Sequence, residues 1–416
     1  MGSHDRSHEN NMADVRGARL LADLDSAFKR DPDIDEYDTL PVLEPKHNKS
    51  PFILEEHKLG VEAWAVKILV KYSSQRLKGW RSRLAGEQFT DPLEVSRLSR
   101  ALLLFSPEVY TTWNVRKELI ERGYLSISED LTFGALVLSK HANSPETFVH
   151  RRWLFRQLLD CCLSSSSASN SSCSTSSNSS CTAASSVNNG RLMDMDDEHV
   201  SAASASSVRG DGVFALESSR LLCHAQRELR LCSQTAERYA CNYHSWSHRI
   251  WVMQHCFRFS LEALVSELKA TESWTTQHVS DHSGFHYRQF LLSELHNRQT
   301  QLAATCSQSS TELLMLEMSL VCDLLHSFPG HETLWYHRRF LFQTLLKSDR
   351  LETKLQKHSS NGHVPVTEHA QTTDLDTIKS FYISQEIENV TKKELCDCDG
   401  YQQLLVQKYV HWLQIL

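Results

Sequence analysis

Five arginines in this 416-residue chain each stand three residues after an aromatic ring: Trp113/Arg116, Phe148/Arg151, Trp246/Arg249, Phe285/Arg288 and Trp335/Arg338. A histidine adjoins the arginine in three copies (His150, His248, His337) and lies two before it in a fourth (His286). Arginine and histidine could serve catalysis, and histidine could ligate a metal. Catalytic arginines, however, do not come in five copies, and the 22 histidines mostly follow the repeat instead of clustering. The structural reading is the stronger one. Residues three apart share a helix face, so each ring fills an inter-helix core while the arginine fork satisfies carbonyls at a neighbouring turn. A weaker sixth copy, Trp64/Lys67, lies upstream. Cys396 and Cys398 have the form of half a metal site, but no second pair has zinc-site spacing. There is no Gly-rich phosphate loop, G-x-S-x-G or H-E-x-x-H, so the chain does not read as a self-sufficient enzyme.

The elements that carry these residues follow from the spacing. Trp113 and Phe148 are 35 residues apart, and Trp246 and Phe285 are 39 apart, periods that fit one pair of antiparallel helices per repeat. The longer gaps need insertions, and a serine-rich stretch at 161–211 and a short polar one at 299–310 supply them. The stretch at 161–211 has too few large apolar residues to offset its ordering entropy and reads as disordered. The expected organisation is a disordered start at 1–14 and helical repeats over 15–346 broken by 161–211. A polar loop at 347–373 and closing helices over 374–416 complete it. Residues 31–51 read as an acidic linker, and Leu59–Tyr72 as a helix. Ser106-Pro107-Glu108 and Ser144-Pro145-Glu146 each read as a helix start, with a capping serine and proline in the first turn. The fold class is all-α, an alpha-alpha superhelix of helical hairpins.

Bulk properties narrow the function. The formal net charge is −7 and no long Lys/Arg run exists, which argues against nucleic-acid binding. No run of about 18 apolar residues suits a membrane span, and the first residues resemble neither a secretory signal nor a myristoylation site. A cytoplasmic protein with reduced thiols is expected.

The segment Asn242-Tyr-His-Ser-Trp246-Ser-His-Arg249 closely resembles the Asn-Tyr-x-x-Trp-x-x-Arg repeat of protein prenyltransferase alpha subunits. Pro107–Arg116, Ser144–Trp153, Val279–Arg288 and Phe328–Arg339 are similar to its other copies. The resemblance implies a crescent of hairpins wrapped around a catalytic beta subunit that holds zinc. There a target cysteine attacks C1 of a prenyl diphosphate and diphosphate leaves. It further implies a type III-like geranylgeranyltransferase, with geranylgeranyl diphosphate as co-substrate and the Rab geranylgeranyltransferase beta subunit as partner. This chain would carry neither metal nor catalytic residue.

The same resemblance places Asn242, Tyr243 and His244 at the cleft with the beta subunit. The Tyr243 hydroxyl and a His244 donor would there meet phosphate oxygens. Farnesylating members carry a lysine five residues before the second-repeat aromatic and a tyrosine three before it. Asn143 and Pro145 stand in those places here, and Lys140 is out of register. The competing reading is a helical-repeat scaffold with no transferase role, which would be free to bury Tyr243 and His244.

Overall fold

The computed structural model describes residues 3–45, 50–78, 80, 91–169, 209–305, 308–347, 368–394 and 400–416. Helix α1 (Ser3–Arg30) leads into strands β1 (Glu36–Leu40), β2 (Phe52–Glu55) and β3 (Lys58–Glu62), and then α2 (Ala63–Leu77). Six helical hairpins follow: α3 (Pro92–Phe105) with α4 (Tyr110–Glu121), and α5 (Ile127–Lys140) with α6 (Pro145–Ser169). Next come α7 (Arg209–Arg238) with α8 (Tyr243–His255), and α9 (Leu261–Ala270) and the short α10 (Glu272–Gln277) with α11 (His282–Asn297). After α12 (Gln299–Thr305) come α13 (Ser310–Ser327) with α14 (Glu332–Leu346), and α15 (Glu368–Glu394) with α16 (Gly400–Ile415). Within each hairpin the two helices pack together, and the second helices α4, α6, α8, α11, α14 and α16 pack in series. Apolar residues form separate clusters along the array, as in a solenoid whose units bury their faces on their neighbours. The architecture is the expected helical-repeat superhelix.

Local chemistry sets the helix ends. Asp91, Asn242, Ser260 and Asp281 accept a backbone N–H from the first turn of the helix that follows, and Ser126/Glu129 and Ser309/Glu312 form reciprocal capping boxes. Gly123 takes φ +77 just past α4, where its N–H and that of Tyr124 close onto the carbonyls of Ile120 and Leu119. One expected start is corrected. Ser106 is the C-cap of α3, not an N-cap, and the next helix begins at Tyr110. Pro107 and Glu108 form a turn because the Pro107 carbonyl accepts from Trp113 Nε1 at 2.7 Å, and Val109 N–H closes onto the Ser106 carbonyl at 3.3 Å. The second copy behaves as expected: Ser144 Oγ accepts from Thr147 N at 3.4 Å, ahead of α6.

Three further expectations change. The segment 1–14 falls mostly within α1, which is helical from Ser3. The linker at 31–51 contains β1, and Lys58–Glu62 is strand instead of helix. A three-stranded sheet in the order β1-β3-β2 results, with β1 parallel and β2 antiparallel to β3. Tyr37 explains why: its ring is buried and its hydroxyl donates to the Leu104 carbonyl on α3, while Lys140 bonds to Asp38 and to Thr39 Oγ1. The sheet is therefore stabilised by the helices it packs on, contacts far away in sequence. In the serine-rich segment, α6 continues to Ser169 and α7 begins at Arg209. Residues 170–208, most of the loop at 347–373 and the Cys396/Cys398 pair lie outside the described residues.

Candidate functional site

The repeat residues come together at the junctions between hairpins. Arg116 on α4 bonds Asp130 on α5, whose second oxygen accepts from His150 Nε2 at 2.5 Å. Arg151 reaches Glu228 on α7 at 2.6 and 2.5 Å, and His248 donates to the same carboxylate at 2.7 Å. Arg249 binds Glu267 on α9 at 2.7 and 3.1 Å, with the Tyr287 hydroxyl at 2.7 Å. Arg288 binds Glu317 on α13 at 2.7 and 2.5 Å, with His337 at 2.9 Å. Arg338 binds Glu386 on α15 at 2.8 Å, with the Tyr409 hydroxyl at 2.9 Å. In every case the arginine comes from one hairpin, while the carboxylate and the imidazole or phenol come from the next. Each repeat aromatic also lies against that imidazole or phenol ring: Trp113 on His150 at 4.5 Å, Phe148 on His248 at 5.2 Å, Trp246 on Tyr287 at 5.3 Å, Phe285 on His337 at 5.1 Å and Trp335 on Tyr409 at 5.2 Å.

The arginine forks do reach neighbouring carbonyls, those of Leu131, Leu229 and Leu268, at 2.5–2.8 Å. Their principal partners are the carboxylates, which sequence reading missed. A signal existed: the carboxylate lies 20 residues before the histidine or tyrosine in the pairs Asp130/His150, Glu228/His248, Glu267/Tyr287 and Glu317/His337. His286, grouped with the other histidines by sequence, is exposed, and Tyr287 takes its place in the junction. The first repeat has Val115 at this position, because no carboxylate precedes it for a ring to meet: Val95 stands 20 residues upstream. The weak sixth copy forms no such junction. Lys67 is exposed and Trp64 Nε1 bonds Glu62 at 2.6 Å.

These groups are charge-balanced. Burial alone would raise the Asp130, Glu228 and Glu317 carboxyls, but the facing arginine and histidine overcome it and hold each at about 2. Burial pushes the His150 and His248 imidazoles below their ordinary value, so each is a neutral ring donating Nε2–H to a carboxylate. Gly134 makes room for one fork, since a Cβ there would lie 2.9 Å from Arg151 Nη1.

This frame positions the start of α8. Asn242, expected at a cleft, is instead fully buried. Its Nδ2 donates to the carbonyls of Ala142 at 2.8 Å and Thr235 at 3.0 Å, and its Oδ1 caps Ser245 N at 3.1 Å. An amide with three such partners belongs to the turn and has no hydrogen-bonding capacity to offer a phosphate. On its other side Cys241, at φ +53, donates its N–H to Asp281 at 2.8 Å. The turn is thus tied to the hairpins before and after it. Between these anchors Tyr243 is 66% exposed. His244, half-buried, meets it edge-on at 5.5 Å. Tyr110, exposed like Tyr243, stands at the same place in the first repeat, three residues before the aromatic. Asn143 and Pro145 are half-buried, and Lys140 is engaged with β1, so none of them brings a cation to this face. Among the described residues no cluster of three or more His, Cys, Asp or Glu could hold a metal, and no helix is long and apolar enough to cross a membrane.

Hairpins clamped through Arg–carboxylate–His/Tyr junctions and carrying an Asn-Tyr-x-x-Trp-x-x-Arg turn define a class, and the comparisons agree with it. The protein prenyltransferase alpha subunit repeat matches at residues 225–256, 264–295 and 314–345, and the chain belongs to this family. It is 38% identical over 350 residues to protein prenyltransferase alpha subunit repeat-containing protein 1 of Danio rerio, covering 79% of this chain and 72% of that one. Its likeness to the protein of the same name from Homo sapiens is 37% over 350 residues, covering 78% and 76%. A more distant similarity, 30% over 115 residues covering 28% of this chain and 19% of the other, relates it to the geranylgeranyl transferase type-2 subunit alpha of Rattus norvegicus.

Proposed function

We propose that this chain is the alpha-type subunit, without zinc of its own, of a heterodimeric protein geranylgeranyltransferase of type III-like character. It would pair with a beta subunit, that of the Rab geranylgeranyltransferase first among the candidates, and act on a cytoplasmic protein with a C-terminal cysteine. In that reaction the cysteine sulfur bonds to C1 of geranylgeranyl diphosphate, the C1–O bond breaks, and diphosphate departs. Zinc on the partner supplies the thiolate at neutral pH. The part of this chain is to position the partner and offer polar groups where charge grows on the leaving group.

One observation carries the reading. Tyr243 is 66% exposed, in a turn whose neighbours Asn242 and Cys241 are tied to the flanking hairpins. A scaffold has no need to hold a tyrosine open in so fixed a turn. The similarity to a geranylgeranyl transferase subunit supports the lipid class.

The test is co-expression with each candidate beta subunit, purification of the pair, and assay of labelled geranylgeranyl transfer to cell protein. Tyr243→Phe with His244→Ala should lower transfer while leaving the pair and its melting temperature intact. An unchanged turnover would remove both residues from the site. The second reading, a protein-interaction scaffold, is favoured by Asn143 and Pro145 in the second repeat. It predicts no pairing with any beta subunit.

A further inference from the structure

Consecutive residues on a helix point about 100° apart, so Arg338 and Arg339 on α14 serve different neighbours. Arg338 turns to Glu386 on α15 at 2.8 Å. Arg339 turns to α16, where its Nη2 donates to the Lys408 carbonyl at 3.1 Å. Its guanidinium carbon lies 5.5 Å from the centre of the Tyr336 ring and 5.4 Å from that of Trp412. Two rings and a main-chain acceptor thus hold the fork in place. The junction arginines each hold a carboxylate, whereas none pairs with Arg339 among the described residues, and its Nε is buried with no acceptor. With one N–H held by Lys408 and Nε–H enclosed, the Nη1–Nη2 edge is left for a ligand.

Arg339 lines a cavity of about 420 Å³ between α14 and α16, within the range of about 300–1,000 Å³ that small organic ligands occupy. Helical spacing builds it: Trp335, Tyr336 and Arg339 on α14 meet Leu405, Trp412 and Ile415 on α16. Trp335 is buried and gives a fixed wall, while Tyr336 and Ile415 are exposed and leave the cavity open to water. Its charges do not balance. Glu332 is the one carboxylate among the described lining residues, and it is already engaged. The Tyr336 hydroxyl donates to it at 3.3 Å, and Lys408 Nζ stands 3.9 Å away. Lys408 and Glu332 offset each other, so Arg339 is the uncompensated charge. His411 adds a ring N–H donor to the lining.

We infer that the cavity between α14 and α16 is a binding site for a small aromatic carboxylate. A carboxylate is planar and meets the open edge of the fork with two parallel hydrogen bonds. An aromatic body stacks on the indoles of Trp335 and Trp412 in the offset manner that rings prefer. One negative charge matches the one unpaired cation, and a more highly charged ligand would leave charge unmatched in a largely apolar lining. The inference does not rest on the transferase reading. None of the lining residues belongs to α6 or α8, the helices at the Tyr243 turn, and the site stands whether or not the chain pairs with a beta subunit.

The experiment titrates the full 416-residue chain with phenylpropionate, a ring on a short carboxylate arm, by calorimetry. Phenylpropanamide, its neutral amide, is the control. Phenylpropionate should bind saturably, and the amide should bind about 10-fold more weakly, the loss of a charge-assisted pair of hydrogen bonds. Arg339→Gln should weaken phenylpropionate by about 10-fold or more, and Trp412→Leu should weaken both compounds several-fold. Glu332→Gln should act in the opposite direction. It removes a repelling charge and frees that of Lys408, so phenylpropionate should bind about 2- to 5-fold more tightly, a gain that a purely structural role for these residues does not predict. Urea midpoints accompany each variant. Where Arg339→Gln lowers the midpoint, the amide control and Glu332→Gln decide. The inference is overturned by no saturable binding of phenylpropionate to the wild-type chain, by equal binding of the amide, or by unchanged affinity in a folded Arg339→Gln. Binding to Glu332→Gln that is no tighter than wild type also overturns it.

Discussion

Replacing Glu228 by glutamine tests the junction principle at its centre. Glu228 is 2% exposed and accepts three hydrogen bonds, two at Oε1 from Arg151 Nε and His248 Nε2, and one at Oε2 from Arg151 Nη2. Whichever way the glutamine amide turns, its NH2 group faces at least one of these donors. The Arg151 charge, itself 4% exposed, then keeps only neutral acceptors, the remaining glutamine oxygen and the Leu131 carbonyl at 2.5 Å. Removing one partner of a buried ion pair costs about 3–5 kcal/mol. The pKa gives an independent figure of the same size: a carboxyl held at about 2 against an ordinary 4.5 corresponds to about 3 kcal/mol favouring its charged form. Adding Arg151→Met removes the stranded charge and should recover part of the loss, a coupling of about 1–3 kcal/mol. Urea unfolding followed by circular dichroism at neutral pH measures the cycle. Amide hydrogen exchange shows whether α6 and α7 open first, since a repeat array can unfold in parts. A cost below about 1 kcal/mol for Glu228→Gln, or no recovery with Arg151→Met, would refute the claim that this junction links the hairpins.

Two further outcomes are expected. Trp246→Ala, at a site 3% exposed between Trp274 and Tyr287, should cost about 3–5 kcal/mol and behave as a folding defect, read as a lower urea midpoint with no change specific to transfer. Stability should also fall with acid in two stages. His150 and His248 have folded values below 6.5, so the unfolded chain binds their protons first and stability drops as pH falls below 6.5. Asp130, Glu228 and Glu317 stabilise fully above the unfolded values of 3.8 and 4.5, and that contribution is lost as pH falls from there towards 2. Urea midpoints between pH 7.5 and 3.5 measure both stages, and a flat profile from 7.5 to 5 would contradict neutral imidazoles at the junctions.

The repeat was legible because it is a local periodicity. Aromatic and arginine three residues apart must share a helix face whatever surrounds them, and copies near 35–39 residues apart must come from hairpins. The ring of Trp113 and the fork of Arg288 were placed correctly in the interior on that ground alone. The carboxylates were not recognised because each belongs to the neighbouring hairpin. Glu228 pairs with Arg151 across 77 residues of chain, and no local pattern says that the serine-rich segment leaves this pairing intact. The sheet escaped for the same reason. Five residues at Glu36–Leu40 carry almost no period-2 signal, and they are strand because Tyr37 docks on α3 and β3 pairs alongside.

At the α8 turn the sequence determined the residue types, Asn242-Tyr243-His244, and hence which chemistry could be offered. Only the tertiary structure decided their allocation. Asn242 is drawn inside because carbonyls from two other segments need its amide, Tyr243 is left outside because no neighbour covers it, and Arg152 is drawn across to α8 because a buried glutamate orients the histidine that accepts from it. Residue type sets what a side chain can bond, but burial and partners contributed from distant parts of the chain decide whether that bond is spent on the fold or kept for a ligand.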